Sequence, residues 1–277
     1  MSAFGEPPHS RECAASTHSL QGLTAEPDQP LAHESACVSM FTKSARFYDA
    51  LYHFKDYARA ADELRDLIAA HHPTARTLLD VACGTGRHLE HLRADYDVEG
   101  LDVNGELLDI ARSRCPGVQF HVGDMAHFEL ARRYDVITCL FSSIAYVKTS
   151  SALRTTLRAF ARHLNPGGLV VLEPYFGPES YWRDRVTLNC SENPDLKIAW
   201  MYVSELRDGL AILDIHYLVG TPAGVETFNE VHELGLFGPD EYRRAFLAAG
   251  LRVEEQQEGP FGRGLYIGSA AAADGAA

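Results

Sequence analysis

The sequence lacks any apolar run long enough to cross a lipid bilayer, and its first residues lack the basic start and apolar stretch of a signal peptide. Its six cysteines show neither a CxxC pair nor a regular spacing, which argues against a zinc site and against a disulfide framework. These absences predict a cytoplasmic protein with reduced thiols, no bound metal and no membrane partner.

Positive charge is also scarce. The 277 residues include 25 Lys and Arg against 38 Asp and Glu, a formal net charge of -13. Nucleic acids and anionic membranes are bound by basic stripes, so neither is an expected partner. Any anionic ligand of this protein must therefore meet a local arginine.

The chain divides by composition into a leader, one domain and a tail. Residues 1–39 are rich in Ser, Pro, Glu, His and Gln without an apolar period, which predicts a disordered leader. Residues 40–269 carry the apolar periods of a single folded domain, and the small residues of 270–277 predict a loose tail.

Helical and strand periods alternate along the domain, which predicts an α/β fold with a doubly wound, mostly parallel, seven-stranded Rossmann-like sheet. The predicted strands are 77–82, 98–103, 118–122, 135–141, 169–173, 251–255 and 264–268. The predicted helices between them include 86–94, 105–114, 153–164 and 239–249. Gly167 and Gly168 of the NPGG segment are expected to end the third of these helices in a left-handed conformation.

The pattern of apolar residues changes after the fifth predicted strand. Residues 176–237 alternate in the manner of strands and contain turn signals, which predicts an antiparallel insertion of three or four strands. Its inward aromatic side chains are expected to build an acceptor pocket or a dimer contact, or simply to cover the main sheet. They are Trp200, Tyr202, Tyr217 and Phe228.

The segment LLDVACGTGRHL, residues 78–89, reads as a buried strand, a glycine turn and the start of a helix. Such a turn brings backbone N–H groups and a helix N-terminus to a ligand, although a tight connection without a ligand would look similar. A dinucleotide fingerprint needs a third glycine at position 89, which is Leu89. Pyrophosphate recognition, and with it an oxidoreductase, is therefore disfavoured.

Carboxylates follow the next two predicted strands. Asp102 in EGLDVN can accept both hydroxyls of a ribose, and Asp124 can accept the amine of an adenine while Met125 covers the ring. Either carboxylate alone would be explained as a cap or a turn residue. Together with the glycine turn, they predict a nucleoside site at the carboxyl edge of the sheet.

The blocks LLDVACGTG, EGLDVN, HVGDM, YDVITCLFSSI and LNPGGLVVLEP resemble the class I S-adenosylmethionine-dependent methyltransferases. This resemblance implies S-adenosylmethionine as cofactor, with Asp102 at its ribose, Asp124 and Met125 at its adenine, and Leu140 lining the pocket. It places a further set around the methionyl part: Asp80, Ala82, Cys83, Gly84 and Gly86.

Four more blocks are similar to the N-methyltransferases that dimethylate amino groups of dTDP-linked deoxyaminosugars in antibiotic biosynthesis: ARFYDALYHFKDY, CLFSSIAYV, VVLEPYFGPE and EGPFGRGLYIG. The resemblance implies one or two methyl transfers and a homodimer. It implies that Tyr48 and Tyr57 close over the cofactor, that Glu173 and Tyr175 face the sugar, and that Arg263 holds the diphosphate.

Tyr146 stands where several of these relatives have a histidine near the reacting amine, so no histidine base is implied there. Tyr146 is instead the candidate for positioning the amine, and Glu173 is a candidate proton acceptor or orienting group.

Simpler explanations stay open for three of these side chains. Tyr48 could be packing in an amphipathic helix, Glu173 a carboxylate on a solvated edge, and Arg263 a surface arginine in a glycine-rich turn.

Other functions also stay open. Methyl transfer to an amino acid, a phosphonate or a hydroxylated metabolite is the main alternative. A catalytically silent nucleotide-binding or interaction protein would require degeneration of the cofactor loop, and that loop is intact.

Overall fold

A computed structural model describes residues 41–260 and 262–272. The predicted leader, 1–39, and residues 273–277 of the predicted tail lie outside the described residues. The helices are α1 (Tyr48–Leu51), α2 (Tyr57–His71), α3 (Arg87–Leu92), α4 (Gly105–Arg114), α5 (Ser150–Arg162) and α6 (Pro239–Ala248). Short 3-10 helices cover Ala45–Phe47 and Ser143–Val147.

The strands form two sheets. The first contains β1 (Thr77–Val81), β2 (Asp97–Asp102), β3 (Gln119–Val122), β4 (Tyr134–Cys139), β5 (Leu164–Leu172), β10 (Arg252–Gln256) and β11 (Leu265–Ser269). The second contains β6 (Arg185–Asn193), β7 (Leu196–Arg207), β8 (Leu210–Thr221) and β9 (Gly224–Gly235).

The first sheet has seven strands in the order β10-β11-β5-β4-β1-β2-β3. Strands β1 to β5 run parallel, whereas β11 is antiparallel to both β5 and β10. The predicted α/β fold with a doubly wound, mostly parallel sheet is therefore confirmed. The chain reverses its direction of winding between β1 and β4, which is where such sheets open a crevice for ligands.

The central strands are apolar on both faces because helices cover both. Leu78, Leu79, Val136 and Ile137 have no exposed surface. Side-chain caps begin α2, α4 and α5, as where Asp56 accepts a 3.0 Å hydrogen bond from the backbone N–H of Arg59 at the start of α2.

The NPGG segment differs from its prediction. Helix α5 ends at Arg162, and β5 begins directly afterwards at Leu164, so NPGG lies in an irregular start of the strand. Gly167 has the expected positive φ of 78°, whereas Gly168 does not. A Cβ on Gly168 would lie 3.0 Å from the backbone oxygen of Asp135, so this glycine is explained by close packing between strands.

The second sheet is an antiparallel meander in the order β6-β7-β8-β9, within the predicted insertion 176–237. Its inward face buries Trp200, Tyr202 and Tyr217 against the segment that contains Phe47 and Leu51. The insertion therefore covers the carboxyl edge of the main sheet together with that N-terminal segment.

The part of the predicted tail that the structure describes is tied to the main sheet. The N–H of Ala270 donates to the oxygen of Gly168, and the N–H of Gly167 donates to the oxygen of Ala271, both at 2.9 Å. Within residues 41–260 and 262–272, no helix is long and apolar enough to span a membrane. The same ranges contain no cluster of three or more His, Cys, Asp or Glu side chains placed to hold a metal ion.

Candidate active site

The loop after β1 bends sharply at the carboxyl edge of the sheet. Ala82, Gly84 and Gly86 have φ angles of 58°, 55° and 74°, in the left-handed region. A Cβ on Gly86 would also lie 3.2 Å from the Cβ of Ala111 in α4. The glycine turn thus needs its glycines both for backbone conformation and for close packing, and it opens directly into α3.

Asp102 joins this loop to the end of β2. One of its carboxylate oxygens accepts a 2.8 Å hydrogen bond from the N–H of Gly84, and the other accepts a 2.9 Å bond from the N–H of Asn104. The side chain is 7% exposed, and burial raises the pKa of Asp102 despite these bonds. Its remaining lone pairs can accept hydroxyl groups from a ligand.

Asp80 is buried beneath the loop. Its Oδ1 accepts a 2.7 Å hydrogen bond from the hydroxyl of Thr138, whereas its Oδ2 has no partner among residues 41–260 and 262–272. Burial raises the pKa of Asp80 to about 7. A buried carboxylate oxygen without a partner favours a cationic group of a ligand at this point.

The other residues predicted for the cofactor lie around the same edge. Cys83 and Leu140 are buried in the apolar cluster behind the loop. Met125 is half-buried, and the side chain of Asp124 is 60% exposed, with one oxygen accepting a 2.7 Å bond from the N–H of Ala126. The second oxygen of Asp124 lies 3.5 Å from Nδ1 of His127, and the exposed side chain can still accept a further hydrogen bond.

Tyr48 forms a roof over the glycine turn. A Cβ on Gly84 would lie 3.8 Å from the Tyr48 hydroxyl, and the Tyr48 ring packs against the rings of Phe41 and Tyr52 at 5.3 and 4.7 Å between centroids. Burial raises the pKa of Tyr48 well above its ordinary value. The side chain predicted to close over the cofactor therefore stands above the loop as a neutral phenol.

Charged and polar contacts hold both ends of the segment 44–49, which carries Tyr48 and is called the roof below. Asp49 accepts a 2.8 Å hydrogen bond from the hydroxyl of Thr85 and pairs with Arg114. At the other end, Glu230 of β9 accepts bonds from the N–H and hydroxyl of Ser44, at 3.2 and 2.5 Å. The roof is thus attached to the cofactor loop and to the insertion at the same time.

Tyr57 begins α2 and lies at the side of the same space. Its ring meets the edge of the buried His88 ring at a centroid distance of 5.1 Å, and the guanidinium of Arg87 lies 5.6 Å from it. Burial and the nearby charge of Asp49 raise the pKa of Tyr57. Tyr57 therefore also presents a neutral phenol.

Glu173 leaves the end of β5 and has no exposed surface. Its Oε2 accepts a 2.5 Å hydrogen bond from the N–H of Phe141, and its Oε1 has no partner within the described ranges. Burial raises the pKa of Glu173, while the charges of Lys55 and Arg263 oppose that shift. The alternative of a solvated edge carboxylate is therefore wrong for Glu173.

Arg263 lies in the turn before β11, against the aromatic side chains after β5. Its guanidinium carbon is 4.0 Å from the ring centre of Phe176 and 5.3 Å from that of Tyr175. All three guanidinium nitrogens are buried and have no hydrogen-bond partner within residues 41–260 and 262–272. Arg263 is therefore not a solvated surface arginine, and burial lowers its pKa.

Tyr146 lies on the 3-10 helix after β4, between the roof and the acceptor side. Its hydroxyl is 2.9 Å from Nδ1 of His232 in β9. Burial raises the pKa of Tyr146, with smaller contributions from the charges of Glu230 and Asp102. Tyr146 is thus paired with a histidine from another element.

Several of these residues were missed by sequence reasoning. Lys55 stands in the quoted HFKDY motif; its ammonium lies 3.1 Å from the ring centre of Phe141, and burial lowers its pKa to about 6. His232 and Glu230 share the inward face of β9 with Phe228, and that alternation was the available signal. No sequence signal identified Asp49, because its partner Thr85 is distant in sequence.

The residues present fit S-adenosylmethionine. The orphan oxygen of Asp80 suits its cationic methionyl part, and Asp102 and Asp124 offer acceptors to a ribose and an adenine amine. The glycine turn has room for backbone contact but no third glycine for a pyrophosphate. The predicted cofactor residues are therefore brought to one edge of the sheet.

Comparisons with known proteins agree with this geometry. Residues 78–168 match the family model described as a methyltransferase domain. The dTDP-3-amino-3,4,6-trideoxy-alpha-D-glucopyranose N,N-dimethyltransferase of Streptomyces venezuelae is 40% identical over 228 residues, which cover 81% of this chain and 96% of that protein.

Two solved structures are similar over most of the chain. DesVI of Streptomyces venezuelae superposes with a TM-score of 0.79 at 39% identity, covering 83% of this chain and 99% of that one. The S-adenosylmethionine-bound CalS10, an amino pentose methyltransferase from Micromonospora echinaspora involved in calicheamicin biosynthesis, has a TM-score of 0.75 at 34% identity, covering 87% and 100%.

The fold and the site define an S-adenosylmethionine-dependent methyltransferase of class I. Within that class, the chain belongs to the family of the dTDP-aminosugar N,N-dimethyltransferases. Its cofactor is S-adenosylmethionine.

The raised pKa of Asp80 generates a testable pH dependence. With its pKa raised to about 7, Asp80 gains its charge between pH 6 and pH 8, and a methionyl ammonium placed at its free oxygen would favour the ionised form. We therefore expect the affinity for S-adenosylhomocysteine, measured by calorimetry, to rise about tenfold from pH 6 to pH 8, in proportion to the ionised fraction.

Asp80→Asn should flatten this rise, whereas Asp124→Asn should keep it even where it weakens binding. An unchanged pH dependence in Asp80→Asn would contradict the assignment of the titrating group.

Proposed function

We propose that the chain acts in the cytoplasm and methylates the amino group of a dTDP-linked deoxyaminosugar, once or twice. The observation that carries the proposal is the buried Arg263 guanidinium, whose three nitrogens have no hydrogen-bond partner in the described ranges. A buried guanidinium without hydrogen bonds is unfavourable, and a diphosphate supplies acceptors that match the geometry of a guanidinium. The names of the similar proteins support the same substrate class.

The walls around Arg263 suit a sugar nucleotide. Tyr175 and Phe176 offer aromatic faces, and Glu173 offers a buried acceptor oxygen for a sugar hydroxyl or amine. Lys55 adds a second basic side chain within electrostatic reach of Glu173 and Arg263, and a bound anion would favour its charged form. An acidic protein thus gathers two basic side chains at the point where this ligand carries its charge.

The site performs the reaction mainly by alignment. S-adenosylmethionine, when bound, supplies an electrophilic methyl group. Asp80, Asp102 and Asp124 would hold it, and Tyr48 and Tyr57 would exclude water from above. The role proposed for Tyr146 is to orient the acceptor amine in its neutral form.

Glu173 accepts a hydrogen bond from the amine or takes up the proton that the methylated amine releases. Its raised pKa makes it a better base than an ordinary carboxylate.

The substrate class can be tested with labelled methyl transfer from S-adenosylmethionine to a panel of dTDP-sugars that carry the amine at C3 or C4, beside the matching sugars without an amine. We expect transfer to at least one aminosugar and to none of the amine-free sugars. Product mass distinguishes one from two methyl groups. Transfer only to an amino acid, a phosphonate or a hydroxylated metabolite would overturn the aminosugar proposal in favour of that alternative.

Arg263→Ala tests the anchoring of the nucleotide part. Hydrogen bonds to charged groups contribute about 1.5–3 kcal/mol, so we expect the acceptor KM to rise about tenfold or more. Calorimetric affinity for S-adenosylhomocysteine should stay near that of the wild type. The exposed Arg252 offers a matched control, since Arg252→Ala removes the same charge and should change neither quantity. Equal weakening of cofactor and acceptor would contradict the proposed role.

We also propose a homodimer formed by the outward face of the second sheet. Val186, Leu188, Met201, Val203 and Leu218 are all between 43% and 63% exposed on this face. Strand register pairs them into neighbouring rows beside a groove of about 620 Å³. Exposed apolar side chains at neighbouring strand positions favour an interface, and the occupant proposed for it is the same face of a second copy.

Charges on that face should dissociate the dimer. We expect the double variant Leu188→Glu and Met201→Glu to sediment as a monomer at concentrations at which the wild type is a dimer, because a buried unpaired carboxylate opposes association. Leu247→Glu, on the 58% exposed side chain of α6, is the matched control and should leave the dimer intact. A monomeric wild type would refute the proposed interface.

A further inference from the structure

The pair formed by Tyr146 and His232 is built from two elements that are far apart in sequence. Tyr146 comes from the 3-10 helix after β4, and His232 comes from the inward face of β9, 86 positions further along the chain. His232 is 1% exposed, and its Nδ1 lies 2.9 Å from the tyrosine hydroxyl. A buried histidine is thus placed directly behind the side chain that faces the acceptor side of the site.

The two supporting elements are fixed to one another. Lys148, next to the 3-10 helix, makes a 2.6 Å ion pair with Glu233 of β9. A Cβ on Gly235 would lie 2.9 Å from the backbone oxygen of Lys148, so the strand and the helix approach closely. This attachment holds the distance between Tyr146 and His232.

Phe41 closes the pair toward the roof. Its ring centre lies 4.8 Å from that of His232, 6.3 Å from that of Tyr146 and 5.3 Å from that of Tyr48. The phenol of Tyr146 also interacts electrostatically with Tyr48 and Tyr175. The pair therefore stands between the cofactor roof and the acceptor wall.

Both members of the pair are neutral near pH 7. Burial lowers the pKa of His232 to about 4, although the charge of Glu230 opposes that shift. Burial raises the pKa of Tyr146. In the tautomer proposed below, the phenol, which is the more acidic of the two neutral groups, donates to Nδ1, and the imidazole carries its own hydrogen on Nε2, which has no hydrogen-bond partner among residues 41–260 and 262–272.

We propose that His232 is a positioning residue that accepts the hydroxyl hydrogen of Tyr146 and thereby turns the phenol oxygen's lone pairs toward the substrate amine. The inference rests on the proposed function and concerns the same site, in which His232 acts through Tyr146. The amine N–H then donates to Tyr146, which leaves the nitrogen lone pair free to face the methyl donor.

The opposite orientation would obstruct the reaction. If the tyrosine hydroxyl donated to the amine, it would occupy the lone pair that must attack. The pair transfers no proton in this scheme, and the methylated amine loses its proton to solvent or to Glu173. His232 therefore acts on the orientation of the acceptor rather than on its affinity.

Two isosteric variants separate this role from simple packing. His232→Asn places an amide group near the position of Nδ1, whereas His232→Gln places it near that of Nε2. We expect His232→Gln to lower kcat about tenfold and His232→Asn to retain most of it. The calorimetric affinity for the aminosugar nucleotide, in the presence of S-adenosylhomocysteine, should stay within about twofold of the wild type in both variants.

Tyr146→Phe supplies the second arm. It should lower kcat similarly, and Tyr146→Phe combined with His232→Gln should be no slower than Tyr146→Phe alone, because the histidine acts only through the hydroxyl. The acid limb of the pH profile should be the same in wild type and His232→Asn. His163→Asn controls for loss of a buried histidine at the opposite end of the sheet and should change thermal stability without changing kcat.

The outcomes are separable. A wild type that methylates no aminosugar overturns the proposed function and this inference with it. If the wild type is active and His232→Gln has the same kcat, the inference alone is overturned. The inference alone is also overturned if the kcat loss in the double variant equals the product of the losses in Tyr146→Phe and His232→Gln. Loss of the acid limb in His232→Asn would make His232 a titrating base and would also overturn it.

Discussion

The carboxylate of Asp102 is the contact on which the rest of the site depends. It accepts the backbone N–H of Gly84 in the loop after β1 and that of Asn104 at the start of α4. Neighbouring parallel strands β1 and β2 bring these groups together, and the side chain fixes their separation. The loop then holds its glycines at a fixed distance from Asp102, the residue proposed to bind the ribose, at the point where the sheet reverses its winding.

The roof is the second layer of this arrangement. Asp49 attaches it to the cofactor loop through Thr85 and Arg114, and Glu230 attaches it to the insertion through Ser44. One short segment thus contacts the Rossmann-like sheet and the antiparallel sheet. The segment that covers the loop after β1 is therefore held by contacts to both sheets.

The chain is acidic overall, but basic side chains outnumber acidic ones in the buried part of the acceptor site. The chain as a whole is strongly acidic, yet Lys55 and Arg263 are buried beside a single carboxylate, Glu173. Excluding water strengthens the attraction of these basic groups for an anion, so an anionic substrate would be favoured at this point and disfavoured elsewhere on the surface. Local placement, rather than net charge, sets the preference.

The main sheet could be predicted from the sequence because its strands and helices are local patterns. Buried parallel strands are continuous apolar runs, and the amphipathic period identifies the helices between them. The positions of Asp80, Asp102 and Glu173 followed as well, since parallel strands end at the same edge. The irregular start of β5 did not follow, because NPGG suits both a helix end and a strand bulge.

Contacts between elements distant in the chain could not be predicted from local sequence patterns. No local pattern connects Tyr146 with His232, Asp49 with Thr85, or Lys55 with Glu173. These pairs depend on how β9 packs against the 3-10 helix and on how the segment before α2 folds over the sheet.

By itself, then, the sequence determined the fold, the cofactor edge and the family. Only the tertiary structure decided which buried groups face one another, because burial, desolvation and pairing arise from packing between segments rather than from the order of residues within one.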